Sequence, residues 1–214
     1  MRKSLLFILT MLAATASARQ KISDLWIVMP DDMIVYVDSV RRQDLVKFYE
    51  IDRQAEIVNM FSNKTSIDTL SENYMSVRLN AVTRWQMRLL DKNDGTRLIC
   101  LVKTFAPEEG HGESEIMFYS TDWNMDESHY GLPVYTDAEN LLNGFTACPD
   151  TMTAARFEEL KTMIDPVMLT ADLSADDDSI VLSLSTPLLN KQEEEEVKTI
   201  IKQTKFKWNG EMFK

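Results

Sequence analysis

The sequence predicts an α+β fold in which short helices pack on an antiparallel sheet, and three observations support this class. Apolar residues recur at helical spacing in residues 22–60, and the spacing changes to every second residue from Ser66 onward. The same succession, helical spacing and then alternation, returns after Trp123. The dipeptides Asp94-Gly95 and Asn209-Gly210 favour tight hairpins, which join antiparallel strands. Segregated helices and hairpin-connected strands are typical of α+β proteins.

The first helical region, residues 22–60, is interrupted at Pro30, which is followed by Asp31 and Asp32. Proline fits the first turn of a helix, and acidic side chains favour a helix N-terminus. We therefore expect two or three short helices in this region.

Four strands are expected after this region. Each shows either apolar alternation or, in the third, a continuous apolar run suited to a central strand. Their marker residues are Met75, Val77 and Leu79, then Trp85, Met87 and Leu89, then residues 98–102, and finally Ile116, Phe118 and Tyr119. The last two strands are expected to be joined by a Gly-rich loop at residues 108–114.

The second half repeats this order of elements. Helices are expected at residues 138–142, 154–164 and 192–201, and strands at residues 167–173 and 180–184. This order suggests two tandem helix-then-strand units, an N-terminal unit at 19–125 and a C-terminal unit at 126–214. One continuous domain is the alternative.

The first 18 residues are typical of a cleaved secretory signal peptide. Arg2 and Lys3 precede a short apolar run at residues 5–14, and the small residues Ala16 and Ala18 stand where signal peptidase requires them. The run is too short to span a bilayer as a helix. We therefore expect cleavage after Ala18 and an exported protein located in the periplasm, at the cell surface or outside the cell, without membrane insertion.

The charge balance argues against two classes of partner. The chain carries 34 Asp and Glu against 23 Lys and Arg, for a formal net charge of −11, and signal cleavage removes two further positive charges. Such a surface repels phosphate backbones and anionic lipids. Neither a nucleic acid nor a membrane surface is expected as a partner.

Two cysteines, Cys100 and Cys148, leave two alternatives open. In an oxidising compartment they could form one disulfide. Cys100 also lies inside an apolar run, where a buried free thiol behaves as a small hydrophobe.

The sequence contains none of the common catalytic or cofactor motifs, so no catalytic residue, cofactor or metal ligand is assigned. Only two histidines, His111 and His129, are present. The acidic segments at residues 108–115, 176–178 and 193–196 lack the ligand spacing of zinc or calcium sites and are interpreted as solvated charge runs. Among the tryptophans, Trp123 ends a predicted strand in a polar context and is expected to be a surface aromatic residue.

Several segments resemble one protein family. They are Asp24-Leu25, Met29-Pro30-Asp31, Ile99-Cys100-Leu101-Val102, residues 114–123 and the closing Trp208-Asn209-Gly210 with Phe213. The chain is similar to Bacteroidales-restricted secreted proteins that carry only a domain-of-unknown-function label. This resemblance implies export and lineage, and it implies no catalytic residue.

The lineage gives meaning to a second pattern. Secreted proteins of this lineage can be O-glycosylated at Asp-Ser or Asp-Thr followed by an apolar residue or Thr. Four residues with hydroxyl side chains lie in this sequence context: Ser39, Thr69, Thr151 and Ser179. Thr151 is expected to be the most accessible of them.

Two functions are compatible with these observations. The first is an exported, noncatalytic protein that binds a protein or glycan partner of the cell envelope through a sheet face or its connecting loops. The alternative is an exported hydrolase that uses carboxylates to act on a glycan or peptide. A deep pocket with two facing acids and perturbed pKa values would favour the hydrolase.

Overall fold

The computed structural model describes residues 19–51, 55–108, 111–133, 138–186 and 188–214, and of residues 107, 108 and 111 it describes the backbone alone. The predicted signal peptide, residues 1–18, lies outside the described residues. The predicted α+β class is confirmed.

The described part of the chain contains five short α-helices, and polar side chains cap three of them. They are α1 (Ile22–Val28), α2 (Ser39–Glu50), α3 (Ala138–Phe145), α4 (Ala154–Thr162) and α5 (Lys191–Lys198). Asp38, Thr153 and Asn190 accept hydrogen bonds from backbone N–H groups of the first turns of α2, α4 and α5. These caps satisfy donors that have no partner within a helix. Within the described ranges, none of the helices has both the length and the hydropathy needed to cross a bilayer.

The strands form two antiparallel sheets. The large sheet contains β1 (Glu56–Val58), β2 (Lys64–Leu70), β3 (Tyr74–Arg78), β4 (Thr83–Asp91), β5 (Arg97–Glu108), β6 (His111–Ser120) and β7 (Met125–Asp126), paired in sequence order. The small sheet has the order β10 (Thr204–Lys207), β9 (Ser179–Ser185) and β8 (Met168–Leu173).

Both predicted turns are present. Gly95 lies between β4 and β5 with a φ of 83°, and Gly210 lies in the C-terminal turn with a φ of 95°. Both values fall in the left-handed region that glycine adopts without a steric cost. The C-terminal turn joins the bridge residues Trp208 and Phe213.

Both faces of the large sheet carry a buried core. On one face, called the helix face, the side chains pack against α1 and α2; this face includes Met87, Ile99, Leu101 and Tyr119. On the other face, side chains such as Cys100, Val102 and Phe118 share a core with residues of the small sheet and of α3–α5. The predicted boundary between residues 125 and 126 lies within β7, and the two predicted units share this second core.

The edge of the small sheet rests on side chains of the large one. Ser114 Oγ accepts a hydrogen bond from the Ala171 N–H at 3.0 Å, and Gln86 Oε1 accepts one from the Leu173 N–H at 3.3 Å. These two N–H groups belong to β8, the edge strand of the small sheet. The large sheet therefore satisfies backbone groups that an edge strand would otherwise expose.

The connection predicted at residues 108–114 is shorter than expected. β5 continues to Glu108 and β6 begins at His111, with Glu109 and Gly110 outside the described residues. Polar side chains such as Lys103, Glu113 and Glu115 occupy these strand ends, so the apolar alternation that predicts a strand is lost there.

Candidate functional site

A groove opens at one end of the large sheet, where the β4–β5 turn meets the β6–β7 connection. Its volume is about 1080 Å³, which is the size of a site for a small ligand or a short chain segment. Most of the residues that line it are of polar type; the lining consists of Gln20, Lys92, Gly95, Thr96, Arg97, Leu98, Ser120, Thr121, Asp122, Asn124, Met125, Asp126, Glu127 and Ser128.

Arg97 fixes one wall of the groove. Its Nε donates to Asp91 Oδ1 at 2.9 Å, its Nη1 to the Gln20 carbonyl at 2.6 Å and its Nη2 to Asn73 Oδ1 at 2.6 Å. Burial lowers the pKa of the Arg97 guanidinium, and the nearby Asp91 carboxylate opposes this shift. Because all three nitrogens of the guanidinium are engaged, Arg97 holds the start of the described chain against the sheet.

The opposite wall is shaped by local hydrogen bonds. Ser120 Oγ accepts from the N–H groups of Asp122 and Asn124, both at 3.3 Å. Asp126 Oδ1 accepts from the Ser128 N–H at 2.9 Å, and Asp126 Oδ2 accepts from the Tyr130 hydroxyl at 2.5 Å. These bonds hold the β6–β7 connection and the residues after it in one conformation.

The Tyr130 and Ser128 hydrogen bonds lower the pKa of Asp126 below its ordinary value. A general acid requires the opposite shift, since it must carry a proton near neutral pH. Asp126 is therefore an ionised acceptor. The groove combines this acceptor with the Lys92 ammonium, amides and hydroxyl groups, an arrangement that can hold a polar ligand by hydrogen bonds and ion pairs.

Trp123 is buried, so the prediction that it is a surface aromatic residue is wrong. Its side chain is 8 % exposed, and its Nε1 donates to the Leu25 carbonyl at 3.0 Å. Trp123 has a φ of 62°, a left-handed conformation that directs the chain through a tight turn, and its ring packs with Tyr119 in the core beneath α1. The polar neighbours that suggested exposure belong to the turn.

Cys100 and Cys148 do not form a disulfide bond, so of the two alternatives the buried free thiol holds for Cys100. Cys100 is fully buried in β5, whereas Cys148 is exposed after α3. The Cys148 Sγ lies 3.6 Å from the Met152 carbonyl. A disulfide would require both thiols to face the same space, and these two occupy the core and the surface.

The four predicted glycosylation residues differ in accessibility. Thr151 and Ser39 are exposed, and Thr69 is half-buried in β2. Ser179 is 1 % exposed within β9 and donates its hydroxyl hydrogen to Asp177, so the structure contradicts it as an accessible site.

Acidic residues of two of the three runs form ion pairs within the fold. Asp178 pairs with Arg88 at 2.8 Å, and Asp177 pairs with Lys205 at 3.2 Å. In α5, Glu194 pairs with Lys198 at 2.8 Å. Among the described residues, no group of three His, Cys, Asp or Glu side chains is placed to hold a metal ion. Glu109 and Gly110 of the third acidic run lie outside the described residues.

Comparisons with known proteins agree with this architecture. A family model described as "Protein of unknown function (DUF3256)" matches residues 14–213. The chain is similar to the solved structure of a domain of an uncharacterized protein from Porphyromonas gingivalis W83, a member of the Bacteroidales, with a TM-score of 0.69 and 17 % identity over 90 % of this chain and 96 % of that one. At that identity the likeness concerns the fold. None of the curated proteins matches the sequence.

Proposed function

We propose that the chain, which belongs to the DUF3256 family, is an exported, noncatalytic binding protein. Its ligand is a polar segment of a protein or glycan of the cell envelope, held in the groove. The observation that carries this proposal is the groove itself, with walls fixed by Arg97 and Asp126 and a lining of mixed charge.

The charges of the lining indicate how such a ligand would bind. Lys92 offers an ammonium, whereas Asp122, Asp126 and Glu127 offer carboxylates, so the groove suits ligands that carry both donors and acceptors. Polar groups fixed in advance lose little conformational entropy on binding. The exposed Met125 side chain, 61 % accessible, adds an apolar contact at the groove.

Binding is tested with two soluble fractions, peptidoglycan fragments and a proteolytic digest of envelope proteins, each passed over the immobilised protein. We expect one fraction to be retained and to shift the amide resonances of Thr96, Thr121 and Glu127. The double variant Asp122→Arg with Met125→Arg should retain at least tenfold less. Val40→Arg, an exposed position on α2, is the matched control and should retain as much as the wild type.

Three outcomes would overturn the proposal: retention of neither fraction, equal retention by the two variants, or new cleavage products found by mass spectrometry in the retained fraction. The last outcome would instead support the carboxylate-dependent hydrolase.

Export is supported by the sequence pattern of residues 1–18 and by the contacts that begin directly after it. Arg19 pairs with Asp91, Gln20 accepts from Arg97, and the Ile22 N–H donates to the Glu72 carbonyl at 2.9 Å. A chain that starts at Arg19 would therefore keep these contacts. N-terminal sequencing of the native protein should find Arg19 first, and a retained Met1 would contradict export by cleavage.

O-glycosylation is a separate part of the proposal. Thr151 and Ser39 are the accessible positions and Thr69 is partly accessible. The intact mass of the native exported protein should exceed that of residues 19–214, and the excess should fall in Thr151→Ala. A mass equal to that of the bare chain would reject the modification.

A further inference from the structure

The helix face of the large sheet has one corner that α1 and α2 do not bury. Strand register places Trp85, Lys103 and Glu115 in one cross-strand row and Thr83, Phe105 and Glu113 in the next. Directly paired residues of antiparallel strands project to the same face. We call the surface formed by Lys103, Phe105, Glu113 and Glu115 the open corner.

The open corner exposes an aromatic ring beside two carboxylates. Phe105 is 43 % exposed, and Glu113 and Glu115 are both exposed. In the neighbouring rows the β5 residues Leu101 and Ile99 are fully buried. The sheet thus extends beyond its helical cover and presents the Phe105 ring, flanked by carboxylates, to solvent.

The charge of the open corner favours a cationic partner. Lys103 is its one cation among the described residues, and its Nζ lies 4.4 Å from the centre of the Trp85 ring, where it is half-buried. Glu115 lies directly across from Lys103 on β6, and its charge opposes the lowering of the Lys103 pKa by burial. The Glu113 carboxylate makes no ion pair or hydrogen bond with the described part of the chain, so it is available to a ligand that carries a positive charge.

The spacing of the two carboxylates matches that of cationic side chains on an extended peptide. Glu113 and Glu115 are two residues apart on one strand, which separates their side chains by about 6.6 Å on the same face. Alternate side chains of an extended peptide have this same spacing. The aliphatic stem of a lysine or arginine can cover Phe105 while its charged end reaches a carboxylate.

We propose that the open corner binds an extended peptide segment with lysine or arginine at alternate positions, with Glu113 and Glu115 pairing its cations and Phe105 packing against its side chains. This surface is at the opposite end of β5 and β6 from the groove and acts independently of it.

The test uses two synthetic octapeptides, one alternating lysine with valine and one alternating glutamate with valine, titrated into the protein by isothermal calorimetry at low salt. We expect the lysine peptide to bind and the glutamate peptide not to bind. The double variant Glu113→Gln with Glu115→Gln should weaken binding of the lysine peptide at least tenfold, and Phe105→Ser should weaken it several-fold.

A matched control separates a specific site from attraction to an acidic protein. Glu158→Gln with Glu159→Gln removes the same two charges from exposed positions on α4 and should leave the affinity unchanged. Equal losses in the two double variants would overturn the proposal, as would binding of both peptides or of neither. The groove variant Asp122→Arg with Met125→Arg should still bind the lysine peptide at the open corner.

Discussion

Arg88 Nε donates to Asp178 Oδ1 at 2.8 Å and so joins β4 of the large sheet to the turn between β8 and β9. Arg88 Nη1 also donates to the carbonyl oxygens of Ser174 and Ala175, both at 3.1 Å. The arginine side chain is 9 % exposed, whereas that of Asp178 is 39 % exposed. One guanidinium therefore satisfies three acceptors of this turn and ties the small sheet to the large one.

Arg88→Met should lower the free energy of unfolding by about 2–3 kcal/mol, because the turn loses its charge-assisted hydrogen bonds while Asp178 remains partly hydrated. Urea unfolding followed by circular dichroism measures this change. Arg84→Met is the control, since the Arg84 pair with Asp172 is solvent-exposed and should cost under about 1 kcal/mol. Equal losses in the two variants would contradict the role assigned to Arg88.

The thiols should react very differently. Cys148 is exposed, whereas Cys100 is fully buried and burial raises the pKa of its thiol, which suppresses the reactive thiolate. Ellman's reagent should therefore titrate one thiol per folded chain, and a second only in denaturant. Cys148→Ser should abolish the reaction of the folded protein. A protein that shows no thiol until it is reduced, and two afterwards, would contain the disulfide after all.

Apolar patterns were sufficient to predict the central strands but not the short ones. In β3 and β4 the helix-face side chains are apolar and the other face includes polar ones such as Gln86 and Arg88, so alternation is clear, whereas β5 is apolar on both faces and shows a continuous run. β1 and β7 contain three and two residues, which is too few to show a period. Their positions at the two edges of the sheet follow from pairing with β2 and β6, which a local pattern does not record.

The groove could not be predicted from the sequence, for a different reason. Its lining comes from three segments, around residue 20, residues 92–98 and residues 120–128, and consists mostly of ordinary turn residues. The pairing of β5 with β6 brings the last two segments together, and the Arg97 hydrogen bond to the Gln20 carbonyl adds the first. Trp123 was wrongly predicted to be a surface residue, because its polar neighbours suggested exposure. Its left-handed backbone conformation turns the ring inward.

The Tyr130 hydroxyl should make stability fall at alkaline pH. Burial, followed by the hydrogen bond to Asp126, raises the pKa of Tyr130 from 10.0 to about 12. Between pH 10 and pH 12 the unfolded chain loses the phenol proton while the folded chain keeps it, so the free energy of unfolding decreases as pH rises through this window. Below pH 10 this contribution is fully present.

Urea unfolding of the wild type and of Tyr130→Phe at pH 9 and at pH 11 isolates this effect. The variant lacks the titrating phenol, so its loss of stability between the two pH values should be smaller than that of the wild type. Parallel losses would show that other groups account for the alkaline sensitivity.

Ser62 occupies the left-handed region, with a φ of 60°, at the tip between β1 and β2. The buried Asn59 side chain holds this tip, because its Oδ1 accepts from the N–H groups of Phe61 and Asn63 at 3.0 and 3.1 Å. Ser62→Gly should raise the free energy of unfolding by about 0.5–1 kcal/mol, since glycine adopts this conformation without a clash. Ser62→Val should lower it, and thermal unfolding that ranks valine at or above serine would contradict the assigned strain.

Arg42 is a buried cation that organises the N-terminal helices. Its side chain is fully buried, its Nη1 donates to the Val37 carbonyl at 2.8 Å, and its Nη2 donates to the Met29 carbonyl and to Asp31 Oδ1. These acceptors lie in the segment that joins α1 to α2. The guanidinium therefore replaces water as the donor to carbonyl groups that follow the last turn of α1.

Arg42→Met keeps much of the side-chain volume but leaves these buried carbonyl groups without a donor, and each unsatisfied buried acceptor costs about 1–3 kcal/mol, so the free energy of unfolding should fall by about 3–5 kcal/mol. The neighbouring Arg41→Met is the matched control, because Arg41 forms a half-exposed pair with Asp38 and its loss should cost under about 1 kcal/mol. Hydrogen exchange should show faster exchange of the α1 amides in Arg42→Met and unchanged exchange in Arg41→Met. An Arg42→Met protein as stable as the wild type would mean that apolar packing alone holds α1 on the sheet.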